Sequence, residues 1–232
     1  MARVLAVDTS SGRGSLALYL NGEVISERSD EPRGHTRQLE PMMQRLLAHA
    51  QMGLKDLDGI AYGRGPGSFT GLRITAGFVQ GLAWGLDRPV VAVSSLAAMA
   101  LAADTSGHPL RVAVALDARM GEIYWGCYRT DGQSGLTALA DESLLTPEAL
   151  YLPDNDDGGP WVGAGSGWHY RDAMPEALGT RLAWIDPDAM PDATEVAKLA
   201  VKPLVRGETL TAAQVQPVYI RDDVGWQKTG EQ

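Results

Sequence analysis

Tyr62-Gly63-Arg64-Gly65-Pro66-Gly67-Ser68-Phe69-Thr70-Gly71-Leu72-Arg73 is the stretch on which the fold turns. Glycines at 63, 65, 67 and 71 surround Pro66 and Ser68. Glycine tolerates positive φ and close backbone approach, so the run reads as a tight loop between two regular elements. A short apolar strand, Gly59 to Tyr62, precedes it, and a helix begins near Thr70. Backbone N–H groups at such a helix start suit an anion. The spacing departs from the phosphate-loop pattern, because no glycine lies five residues ahead of a Gly-Lys-Ser/Thr. From chemistry alone a phosphate role and a purely structural turn both stand.

Around this loop the first hundred residues read strand, strand, strand, helix, strand, helix, strand. Arg3 to Val7 is apolar, Leu16, Leu18 and Leu20 alternate, and Asn21-Gly22 makes a hairpin turn into Val24 to Glu27. The spacing predicts a helix over 36–52, with Leu39, Met42, Met43, Leu46, Leu47 and Ala50 on one face. A second covers 70–86, and a strand at 90–93 leads to a third helix over 95–103. The second half opens alike: Val112 to Asp117 ends in an aspartate, then a turn precedes a strand from Glu122 to Tyr128. Leu5-Ala6-Val7-Asp8 followed by a turn and Ser15 to Leu20 is the same pattern, as an internal duplication would leave. The division falls between Asp104 and Pro109, giving domains 1–104 and 105–232. Beyond it, Thr146-Pro147-Glu148 opens a short helix and 152–160 is an acidic loop holding Asp154, Asp156 and Asp157. Asp192 and Glu195 frame a last helix expected to break near Pro203.

The chain has 232 residues, 44% of them hydrophobic and 21% charged, as an ordinary globular protein has. Its longest apolar stretch, Ile74 to Leu86, is short of the roughly 20 residues that span a bilayer. The first strand begins almost at Met1, leaving no room for a signal peptide, so a cytoplasmic location without membrane association is expected. The single cysteine, Cys127, reads as a small buried hydrophobe. Net charge is −9. A chain gripping RNA unaided shows a basic face, so any work on RNA needs a partner to bring the cations.

The glycine loop, Leu5 to Ser10, His35-Thr36, Asp117-Ala118-Arg119-Met120-Gly121-Glu122-Ile123-Tyr124 and Pro217-Val218-Tyr219-Ile220-Arg221 together resemble the TsaB (YeaZ) family. The resemblance covers nearly the whole chain and is thinnest between about 132 and 192. It implies an α/β fold of the duplicated actin/sugar-kinase/Hsp70-like (ribonuclease H-like) kind in two domains. It also implies a closing strand at 217–221. The function implied is that of a non-catalytic scaffold or activator in making threonylcarbamoyladenosine beside the tRNA anticodon. The chain would pair with TsaD, the transferase, and recruit the ATPase TsaE. It would meet tRNA only through that complex, and self-associate through the same surface when TsaD is absent. No cofactor of its own is expected, with ATP or ADP placed at the partner junction.

Asp8, Thr9, Ser10 and Asp117 stand where actin-like ATPases hold metal-bound phosphates. The competing reading, which we favour, is that both aspartates hydrogen-bond the turn that follows. An actin-like ATP-hydrolysing enzyme is therefore the alternative function. A metallopeptidase finds no support: His35, His49, His108 and His169 include no pair four apart on a helix, and His35 reads as a capping or surface residue. Gly12-Arg13-Gly14 feeds a strand, not the helix a dinucleotide fingerprint requires. Gly163 to Gly167 is a weak candidate relic of an adenosine turn, and Ser68 has no evident base. The positive signal is Gly77, Gly81 and Gly85 at intervals of four in the second helix. Each glycine there costs about 1 kcal/mol against alanine, which suggests a close approach, either within the domain or across an interface. With Met42, Met43, Leu46, Phe78, Leu82 and Trp84 they form the expected partner face.

Overall fold

The computed structural model describes residues 2–31, 34–104, 107–153 and 160–221. Two sheets organise it. In the first, β1 (Arg3–Asp8), β2 (Gly14–Leu20) and β3 (Glu23–Ser29) form an antiparallel meander. Strands β4 (Gly59–Gly65) and β5 (Val90–Ser94) add in parallel on the other side, giving the order β3-β2-β1-β4-β5. The second sheet repeats the plan. Strand β6 (Arg111–Arg119) pairs antiparallel with β7 (Glu122–Thr130), which carries β8 (Leu136–Ala138) and β9 (Ser143–Leu145). Strands β10 (Trp161–Ala164) and β11 (Leu182–Asp186) then add in parallel on the far side of β6. The internal duplication expected from the two aspartate-ended strands is thus a repeat of sheet topology, that of the actin/sugar-kinase-like fold.

Both faces of the first sheet are covered, which is why β1 is apolar without alternation. Leu5 and Val7 point to α1 (His35–His49) and α2 (Phe69–Leu86), whose Leu39, Met42, Met43, Leu46, Val79 and Ala83 complete that core. Val4 and Ala6 face the other way, onto Ala193, Val196, Ala197 and Ala200 of α5 (Ala193–Arg206), which follows the short α4 (Glu176–Gly179). Small residues on both sides let α5 lie close to the sheet. Helix α3 (Ser95–Ala102) crosses in the opposite sense, and its Leu96, Met99 and Ala100 pack on Val112, Val114 and Tyr128 of the second sheet. Each half therefore lends the other a helix. Residues 105–106, beside the sequence-drawn division, lie outside those described, as do Asp154, Asp156 and Asp157.

Several expectations need correction. Helix α1 ends at His49, and Gln51 with φ 54 turns the chain before Met52. Helix α5 runs through Pro203 to Arg206 and stops at Gly207, φ 73. Pro203 removes one N–H from the hydrogen-bond ladder, and the helix continues for three residues past it. Residues 217–221 form no strand. They cross the start of α2 as an irregular segment, held by Val218 N–H donating to the Arg64 carbonyl at 2.8 Å. Among the described residues no helix is long and apolar enough to cross a membrane.

The glycine loop works as packing. A Cβ on Gly71 would lie 1.7 Å from the Thr9 carbonyl oxygen, and one on Gly63 would lie 1.8 Å from Asp8 Oδ2. The loop and the first turn of α2 therefore rest directly on the chain leaving β1. Thr9 Oγ1 donates to the Gly71 carbonyl at 2.7 Å, and Ser68 N–H donates to the Ser10 carbonyl at 2.7 Å. Alanine normally favours a helix over glycine by about 1 kcal/mol. At position 71 the sign should reverse: Gly71→Ala is expected to lower unfolding stability by about 3 kcal/mol, read from urea denaturation.

Candidate functional site

Asp8, Thr9 and Ser10 come together at the end of β1, all buried. Asp8 Oδ1 accepts from Ser10 N–H at 2.9 Å and from Ser10 Oγ at 2.8 Å, and Ser95 Oγ donates to Ser10 Oγ at 3.1 Å. Thr9 Oγ1 lies 2.7 Å from Thr75 Oγ1 as well as from the Gly71 carbonyl. Asp8 Oδ2 has no partner and abuts Gly63. Asp117, in the equivalent place of the second half, is half-buried. Its Oδ1 accepts from Arg119 N–H at 2.8 Å, Oδ2 pairs with the Arg119 guanidinium at 3.2 Å, and its own N–H donates to Ser166 Oγ at 3.2 Å. These residues do not fit a metal-bound phosphate. The hydroxyls are committed to protein partners, and Gly63 and Gly71 lie directly against Asp8 and Thr9. Both aspartates hold the turn that follows, the reading favoured from the sequence.

Burial pushes the Asp8 carboxyl up to about 6, against the opposing pull of the two Ser10 hydrogen bonds. The folded protein then binds this proton more tightly than the unfolded chain does. Stability is fully present below about pH 4, falls as pH rises to about 6, and is flat above. Asp8→Asn removes this contribution. Between pH 4 and pH 7 the variant should gain about 3 kcal/mol relative to the parent, from denaturation midpoints across that range.

The other polar candidates are structural. His35 is buried at the start of α1 with Nδ1 against Gly14, which corrects the capping or surface role expected for it. Its helix is capped by the backbone at Gly34, so the ring is free to fill space under the β1–β2 turn. Ser68 caps α2 by accepting from Gly71 N–H. Cys127 is buried, and burial pushes its thiol up to about 12. The turn Gly163 to Gly167 lies on the end of β6, where Trp168 Nε1 donates to the Ala113 carbonyl at 3.2 Å. No group of three His, Cys, Asp or Glu able to hold a metal occurs among the described residues.

The open feature is one face of α2. Gly77, Gly81 and Gly85 are exposed, and a Cβ on any of them would meet nothing within 4 Å. The stripe therefore makes no close approach inside the chain, which removes the intradomain explanation of its glycines. Trp84 beside it is 74% exposed. Phe78 and Leu82 are half-buried against the core. Met42, Met43 and Leu46 are corrected: they are core side chains between α1 and the first sheet and line no open face. Sequence reasoning missed the outer end of the stripe. Phe69, 52% exposed, lies 5.6 Å ring to ring from Tyr219, and the Arg73 guanidinium sits 3.8 Å from the Phe69 centroid. The signal available was Arg73 itself, the one charged residue in the eighteen of α2.

Comparison with known proteins agrees with this architecture. The family model for TsaD, tRNA N6-adenosine threonylcarbamoyltransferase, matches residues 24–214. The chain is 38% identical to the tRNA threonylcarbamoyladenosine biosynthesis protein TsaB of Escherichia coli, covering 97% of both. It is 34% identical to TsaB of Haemophilus influenzae over 97% of this chain and 96% of that one. The solved structure of YeaZ from Pseudomonas aeruginosa, 43% identical, superposes with a TM-score of 0.86 over 94% of this chain and all of the other. The chain belongs to the TsaD family of proteins, within its TsaB (YeaZ) branch.

Proposed function

We propose that this chain serves threonylcarbamoyladenosine formation on tRNA as a subunit without chemistry of its own. It docks on a TsaD-type transferase through the open face of α2 and holds that enzyme in its active form. A TsaE-type ATPase joins the pair, with ATP or ADP at their junction, and tRNA is met through the assembly. The role rests on the end-to-end likeness to TsaB proteins. The docking mode rests on one observation, the glycine stripe with open space above it. Glycine exposes helix backbone at a cost of about 1 kcal/mol each, and a second helix laid on the stripe offsets that cost by close packing. The inward commitment of Asp8, Thr9 and Ser10 supports the non-catalytic reading and weighs against an ATP-hydrolysing enzyme.

The test is reconstitution of tRNA modification with TsaD, TsaE, ATP and the threonylcarbamoyl-adenylate supply. Product is expected only when this chain is present. Equal product without it sinks the reading, and ATP hydrolysis by the isolated chain that Asp8→Ala abolishes would put the alternative in its place. Gly81→Leu separates docking from folding. Leucine at this open helical site should leave thermal stability unchanged or raise it by about 1 kcal/mol. Association with TsaD should fall at least tenfold in Kd, read by calorimetric titration.

A further inference from the structure

Arg73 is the exception on an otherwise uncharged helix. Its guanidinium lies over the Phe69 ring, and its Nε donates to Tyr219 Oη at 3.2 Å. Tyr219 is in turn fixed by the ring contact with Phe69, on a segment anchored by Val218. A guanidinium held this way has its two outer nitrogens presented as a fork at little further entropic cost. Among the described residues no carboxylate pairs with it. Phe69, Arg73, Gly77, Gly81 and Gly85 recur every four residues and so lie along one inclined ridge of the helix. The fork thus stands at the end of the bare stripe.

We propose that Arg73 sets the partner's orientation on this face by taking a carboxylate from the helix packed over Gly77, Gly81 and Gly85. The inference rests on the docking reading above. The chain's own match to the TsaD family gives such a partner the same order of elements. A partner with the same order of elements has a counterpart of α1 that can lie along the stripe. In this chain the first helix carries a single carboxylate, Glu40, and it is exposed. A carboxylate on the corresponding helix of the partner is the complement that no described residue of this chain supplies to Arg73. A glycine stripe is smooth and tolerates sliding or reversal of the helix upon it, whereas one bidentate pair permits a single register.

An RNA phosphate is the competing ligand. Phosphate tracks are read by several free cations together, and here the neighbours are neutralised. Arg64 lies 3.8 Å from Glu142, Arg119 pairs with Asp117, and Arg221 pairs with Glu122. A solitary fork beside an apolar stripe matches a protein helix.

Binding of this chain to TsaD from the same organism would be titrated at low and high salt for the parent, Arg73→Ala, Arg73→Glu, Arg73→Lys and Gly81→Leu. Arg73→Ala should weaken Kd about tenfold and Arg73→Glu about a hundredfold, with most of the parent's salt dependence lost. Arg73→Lys should recover only part, since a point charge lacks the fork. Melting temperatures should stay within a few degrees, because Arg73 is exposed. Unchanged Kd for Arg73→Glu with weakened Gly81→Leu overturns the Arg73 assignment alone. Unchanged Kd for Gly81→Leu overturns the docking reading itself. Intact association with reduced tRNA retention by the Arg73→Glu complex assigns the fork to phosphate and overturns the proposal. So does an effect confined to self-association of this chain.

Discussion

Contact between main chain and main chain at the end of β1 is the constraint on which this structure depends. The first turn of α2 touches Thr9 and Ser10 with no side chain between them, and Thr9, Ser68 and Thr75 lock the contact by hydrogen bonds. Close backbone contact leaves a helix little freedom to rotate about its axis or slide along it. Once Leu72, Ala76, Val79 and Ala83 are turned inward, the opposite side of α2 is determined. Phe69, Arg73 and the three open glycines face outward because of an approach more than sixty residues away in sequence from the strand it meets. The orientation of the outward face is therefore set by the packing beneath it.

The duplication is faithful in the sheets and broken in what covers them. Ser166 answers to Ser68 in following the parallel strand beside the aspartate-ended one, yet a 3-10 segment, Ser166–Ala173, follows it instead of a long helix. The outer face of the second sheet is closed by Leu150, Leu152, Trp168 and Leu178, from loops and short helical turns. Among the described residues the second half consequently has no counterpart of α2. The exchange of α3 and α5 between halves ties the two sheets together, so loosening one sheet exposes apolar surface on a helix that the other half supplies.

Much of this was legible in the sequence because strands and turns are written locally. The period-two alternation in β2, Asn21-Gly22 and the two aspartate-ended runs place the first elements of both halves within a few residues. The glycine stripe is equally local, but its exposure is not. Whether Gly81 lies under the sheet or under solvent depends on how α2 is rotated, and that is decided by Gly71 against Thr9. The same applies to Met42, Met43 and Leu46, apolar on one face by periodicity, with nothing in that period to say which face meets the sheet. Residues 217–221 look like a strand by composition, yet their hydrogen bonds go to a loop carbonyl and not to a neighbouring ladder. The Phe69, Arg73 and Tyr219 cluster joins positions 146 residues apart, a distance that no local pattern encodes.

Charge completes the case for a partner. Arg3, Arg13, Arg28 and Arg45 each pair with a carboxylate, as do Arg119 and Arg221. Exposed pairs of this kind contribute little to stability, but each neutralises a cation on a chain of net charge −9. Attraction to a polyanion scales with the cations available to neutralise phosphates. On the proposed function, a subunit so constituted assists chemistry on tRNA by acting on the protein that holds the tRNA. On the proposed docking, Arg73, which no described carboxylate pairs, meets a protein surface at the end of the open glycine stripe of α2.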